Sequence, residues 1–237
     1  MSSDGLSKPL RAALVELDRY IPPLLPIVQE KLLNLLAVKL SGEKFKPPGM
    51  PVNWRAGPSV TDLSTMTPNR VTVTLALKTL GTFNFKGYRL NEFVQDVVIR
   101  WADDESPDVR QAAATCCAQV LAQDPIIHQS SPHAVKLISN VLTKLLAVVI
   151  TDPLPSIRHS TLSALDPKFD RFLAQPNNIK QLFMAMNDEV HVIRESAIKT
   201  IGRLTKQNPA YIMPNLRKTL IQLLTDLEYS KKKALLS

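Results

Sequence analysis

The chain has 237 residues, of which 45% are hydrophobic, enough for one extended array or one or two ordinary cores. Aromatics make up only 5%, with seven glycines against eighteen prolines, which disfavours a β-rich fold and suits many helices separated by proline-marked corners. The net charge of +8 is compatible with nucleic acid, an anionic membrane or an acidic partner, and selects none of them.

In chain order, Met1 to Asp4 is polar, unlike the start of a secretory signal, and an amphipathic pattern begins at Leu6 with Leu10, Leu14 and Leu17 aligned. A second helix is predicted after Pro22-Pro23, running through Leu32, Leu33, Leu35 and Leu36 to Leu40. Residues 1–40 therefore read as a first helical pair. From 41 to 68 five prolines and three glycines forbid a long regular element. This stretch is predicted as a partly disordered loop, with Trp54 its expected anchor.

Helical periodicity returns and fills residues 69–230. Candidate helices cover Asn69–Leu80, Leu90–Trp101, Pro107–Ala122, Pro132–Ile150 and Pro155–Leu165. Pro167–Leu173, Asn178–Met186, Val190–Lys206 and Pro209–Leu227 follow, and residues 231–237 form a basic tail that reads as a solvated end. Ser106-Pro107, Ser131-Pro132, Asp166-Pro167 and Asn208-Pro209 each put a capping side chain ahead of a proline at the first helical position. The apolar run Ala134–Ile150 is shorter than a usual membrane span. Its Lys136, Asn140 and Lys144 form a polar stripe, as in a helix packed on its other sides.

Three stretches superimpose without gaps: Asp104 to Arg110, Asp152 to Arg158 and Asp188 to Arg194. Each has an Asp, five residues, and an Arg preceded by a β-branched apolar residue. The positions after the Arg also agree: Ala113, Thr161 and Ala197, then Cys117, Leu165 and Ile201. A recurrence at about 35–50 residues, the size of a helical hairpin, marks a solenoid. The pattern resembles the HEAT repeat, whose inner turn carries an Asp and whose second helix opens with Val-Arg. The fold expected is all-α, a HEAT/armadillo-like solenoid of stacked antiparallel helix pairs. The Asp can bind the first amides of the second helix and also pair with an Arg, so stacking would build a ladder. A charged functional site at these six residues is the alternative, but a periodic charge pair in a repeat protein is usually structural.

Chemistry is hard to find. No nucleotide-binding glycine loop or kinase signature occurs. His128, His133, His159 and His191 read as surface or corner residues rather than ligands, so no metal site and no cofactor are expected. Cys116 and Cys117 are adjacent and point about 100° apart on a helix, which suits two reduced thiols in an intracellular protein. Ser106 and Ser131 before prolines read as caps, leaving Thr67-Pro68 as the candidate phosphorylation site. Met184 and Met186 read as core. Arg194, Lys199, Arg203 and Lys206 cluster on one helix, which is ordinary for an exposed solenoid face, so nucleic acid is not expected.

From about Leu75 onward the resemblance sharpens. The stretches LALKTLGTFNF, SALDPKFDRFLAQPNNIKQLFMAMNDEVHVIRESAIKTIGRL and NPAYIMPNLRKTLIQLLTDLEYS closely resemble the amino-terminal HEAT region of the TOR serine/threonine kinases, here expected to be a fungal one. The terminal KKKALLS departs from the family's continuation. The resemblance implies a non-catalytic piece of a large cytoplasmic kinase, whose full complex can sit peripherally on the vacuole or lysosome membrane. It implies protein partners, a Raptor-type regulatory subunit and a second protomer, and no small molecule. An unrelated HEAT adaptor, such as a transport receptor or phosphatase scaffold, is the alternative.

Overall fold

The computed structural model describes residues 26–41, 69–83, 85, 90–123 and 131–236. The predicted first helix, the loop with Trp54 and Thr67, and His128 lie outside the described residues. Within them the chain forms ten α-helices and two short 3-10 helices, and no strand.

Helices alternate between two layers. One layer holds α1 (Pro26–Ser41), α3 (Asn91–Asp96) with its 3-10 extension Val98–Asp103, α5 (Pro132–Thr151), α8 (Pro176–Ala185) and α10 (Pro209–Leu236). The other holds α2 (Arg70–Thr82), α4 (Pro107–Gln123), α6 (Pro155–Ser163) and α9 (His191–Leu204). Within this second layer α2 packs on α4, α4 on α6 and α6 on α9, while α3 packs on α5 and α5 on α8 across the first. This is the stacked arrangement of an α-solenoid.

The sequence explains why each helix sits where it does. Helix α4 is small and apolar on nearly every side, with Val109, Ala112, Ala113, Ala114, Cys116, Cys117 and Ala118 all buried. A helix apolar all round must have neighbours all round, and α4 has α2, α6 and the 3-10 helix against it. Gly81 on α2 permits part of that approach, because a Cβ there would press the Gln119 side chain and come within 3.3 Å of the Cys116 Cα. Helix α5 is long and apolar enough, by length and composition, to cross a membrane. Its Leu137, Ile138, Val141, Leu142, Leu145 and Leu146 are nevertheless buried against neighbouring helices. At roughly 1.5–3 kcal/mol for each fully buried aliphatic side chain, α5 is a principal source of cohesion. On its polar stripe, Lys144 Nζ reaches both oxygens of Asp103 at 2.7 Å.

Three local expectations change. The predicted helix Leu90–Trp101 breaks after Asp96 and continues as the 3-10 helix. Trp101 Nε1 donates to the Leu40 carbonyl on α1 at 3.2 Å, a tertiary tie of the kind that overrides local propensity. Ser131 makes no side-chain cap, although α5 starts at the following proline. Helix α10 runs on to Leu236 rather than ending at Leu227, since Lys231 to Leu236 contains good helix formers and no glycine or proline. The short 3-10 helix Pro167–Phe169 and α7 (Asp170–Leu173) form an insertion between α6 and α8.

Candidate functional site: the charged turn edge

The turns that lead into α4, α6 and α9 lie on one edge of the stack, and each is built the same way. In the first, Asp104 Oδ1 accepts the Ser106 amide at 2.8 Å. Asp152 does the same for Leu154 at 2.9 Å and Asp188 for Val190 at 2.8 Å. Each aspartate therefore ties the turn just ahead of its helix, in the Asx manner, rather than the helix's own first amides. The arginine six residues on closes the turn from the other side. Arg110, Arg158 and Arg194 each donate Nη1 to the backbone carbonyl of their own aspartate, at 3.1, 2.9 and 2.7 Å.

The remaining edge of each guanidinium reaches forward to the next turn. Arg110 grips Asp152 through Nε at 2.8 Å and Nη2 at 3.3 Å. Arg158 grips Asp188 through Nε at 2.8 Å and Nη2 at 3.0 Å, and Nη2 also meets Glu189 at 3.0 Å. Asp152 and Arg158 are both buried, at 7% and 6% exposure. Bidentate geometry of this kind fixes register as well as adding attraction. At Asp188, burial pushes the carboxyl upward, but the bonds from Arg158 and the Val190 amide outweigh it and hold the group below the usual carboxylate range.

The ends of the ladder differ. Asp104 receives no bidentate grip; Arg70 at the start of α2 lies 3.5 Å away and turns its Nη2 to the exposed Glu105 at 2.7 Å. Arg194 keeps its carbonyl contacts with Asp188 and Glu189, and no carboxylate pairs with it among the described residues. Arg70 was not among the sequence candidates because no Asp stands six residues before it. The signal that could have found it is the apolar spacing, since Val73 and Leu77 occupy the positions of Ala113 and Cys117 and are likewise fully buried.

A second polar lock joins the insertion to α9. Arg203 Nε meets Asp170 at 2.9 Å and its Nη2 meets the Leu165 carbonyl at 3.2 Å. Here burial prevails over the arginine, and the Asp170 carboxyl is held above its ordinary value. Among the described residues no three His, Cys, Asp or Glu side chains are placed to hold a metal. Burial pushes the Cys116 thiol up to about 12 and the Cys117 thiol well above its usual range, so neither is a ready thiolate. His133 and His191 are exposed, and His159 stands 3.5 Å from Ser163 Oγ. Met186 is fully buried as expected of core, but Met184, two positions away and so on the other side of the helix, is 58% exposed.

Comparison with known proteins fits this geometry. The HEAT repeat family matches residues 94–123, which span the Asp104–Arg110 turn and all of α4. The chain is 48% identical to the serine/threonine-protein kinase tor1 of Schizosaccharomyces pombe over 231 residues, 95% of this chain and 10% of that protein. It is 38% identical to the serine/threonine-protein kinase TOR2 of Saccharomyces cerevisiae, over 95% of this chain and 10% of that protein. The serine/threonine-protein kinase TOR of Arabidopsis thaliana is 37% identical over 97% of this chain and 10% of its own length. The chain thus spans about a tenth of the length of these relatives.

Proposed function

Since this chain is homologous to the HEAT-repeat region of the TOR serine/threonine kinases, we propose that it works as a scaffold segment of such a kinase. In that role it contributes to holding a Raptor-type regulatory subunit and to assembling the dimeric nutrient-signalling complex that controls cell growth. The parent would act in the cytoplasm, with its complex peripheral on the vacuole or lysosome membrane. The chemistry of phosphoryl transfer would belong to other parts of the parent, as this chain has no glycine-rich loop and neither a His-Arg-Asp nor an Asp-Phe-Gly signature.

The observation that carries the reading is that similarity to these kinases runs over 95% of the chain and coincides with a stack whose turns are locked together. A solenoid held this way presents long, fixed helix faces, which is how repeat proteins bind other proteins. Light scattering on the chain, alone and mixed with the Raptor-type subunit of its source, tests the reading. A stable complex at moderate salt is the expected result. A folded chain that stays separate from the subunit would contradict a partner site in these repeats.

A further inference from the structure

We infer that the groove between α8 and α10 is a docking site for an acidic peptide segment. The inference concerns the chemistry of the partner and does not depend on that partner being a Raptor-type subunit.

The groove is about 400 Å³ in volume and opens between the two helices. Lys180 on α8 and Lys218 on α10 line its two walls. Neither lysine has a carboxylate partner among the described residues, and no acidic residue lines the groove. Between the lysines lie the partly buried rings of Phe183 and Tyr211. Polar side chains beside them are already engaged with the backbone of α10, as in Thr219 Oγ1, which donates to the Asn215 carbonyl at 3.0 Å. The Asn208 side chain already holds the Tyr211 amide at 3.4 Å, and Asn215 Nδ2 binds the Tyr211 carbonyl at 2.7 Å. The two ammonium groups are then the charged donors that line the groove.

Such a site suits carboxylates spaced to reach both lysines, with an apolar side chain of the same segment over Phe183 and Tyr211. Nucleic acid fits less well. A phosphate backbone is tracked by a continuous basic stripe with stacking aromatics, whereas this groove is short and its two rings are partly covered by the helices that carry them. The middle rungs of the ladder on the turn edge are chemically its opposite, since their charges are already consumed in pairs.

The test is fluorescence anisotropy on the full chain with three labelled probes. One is a twelve-residue peptide of Glu and Asp with a central Leu; the second replaces every acid by its amide; the third is a single-stranded oligonucleotide of equal charge. The acidic peptide should bind at least about tenfold more tightly than the amide peptide, and the gap should shrink with added salt. Combined Lys180→Ala and Lys218→Ala should weaken the acidic peptide about tenfold. Combined Lys78→Ala and Lys136→Ala, on exposed positions elsewhere, should leave it unchanged. Equal binding of acidic and amide peptides, or no loss in the Lys180/Lys218 variant, would overturn the inference. Tighter binding of the oligonucleotide, lost in that same variant, would also overturn it by assigning the groove to nucleic acid.

Discussion

The middle and the ends of the ladder use the same residues to different effect. Arg110 and Arg158 are enclosed, grip a carboxylate with both nitrogens, and link one helical pair to the next. Arg70 is more than half exposed and meets Asp104 only at 3.5 Å, while Arg194 serves its own turn alone. A repeated motif therefore does not have a repeated energy. What sets the contribution of each rung is whether a neighbouring turn excludes water from it.

Removing the arginine from the middle is expected to be the most damaging change. Arg158→Ala leaves Asp188 facing a partly desolvated pocket and frees the Asp152 carbonyl, and a loss of roughly 3 kcal/mol in urea unfolding is expected. Arg70→Ala should leave the urea midpoint unchanged within error. Equal losses at the two positions would erase the distinction between middle and end.

Acid sharpens the same contrast between Asp188 and Asp170. The Asp188 pKa is lowered in the folded chain, so its stabilisation is complete above the unfolded carboxylate value of about 4 and disappears as pH falls through the folded one. Asp170 is raised, so its ionised form opposes folding, and its contribution becomes more favourable as pH falls. Asp188→Asn should flatten the acid limb of stability against pH, whereas Asp170→Asn should steepen it. Matching shifts in both variants would contradict the two environments described.

A smaller effect is expected within the second layer of helices. Thr161 stands where the other two repeats have Ala113 and Ala197; it is fully buried and its hydroxyl has no hydrogen-bond partner. Thr161→Ala should raise stability by about 0.5–1 kcal/mol, since it removes an unsatisfied buried group and improves helix propensity. A fall in thermal midpoint would mean that packing of the Thr161 methyl outweighs both.

What could be read from the sequence follows from range along the chain. The Asp-to-Arg spacing was visible because half of each arginine's work is local, a bond from Nη1 to the carbonyl six residues back. The carboxylate it grips lies in the next turn, 42 residues on for Arg110 and 30 for Arg158, and no fixed spacing announces that. The α5 helix was legible from its polar stripe. The break after Asp96 was not, because Phe93, Val97 and Trp101 keep a helical period while Trp101 is anchored by Leu40, far away in sequence. The Arg203–Asp170 lock was missed for the same reason, since Asp170 belongs to an insertion with no counterpart in the other repeats. The groove flanked by Lys180 and Lys218 likewise exists only once α8 and α10 are placed side by side.

The most direct test of the inter-repeat ladder is a double-mutant cycle with Arg158→Ala, Asp188→Ala and the pair together, each measured by urea unfolding. A coupling of about 1.5 kcal/mol or more is expected if the two side chains join neighbouring repeats. Losses that simply add, within about 0.5 kcal/mol, would show that each residue only supports its own turn and that the ladder does not hold the stack together.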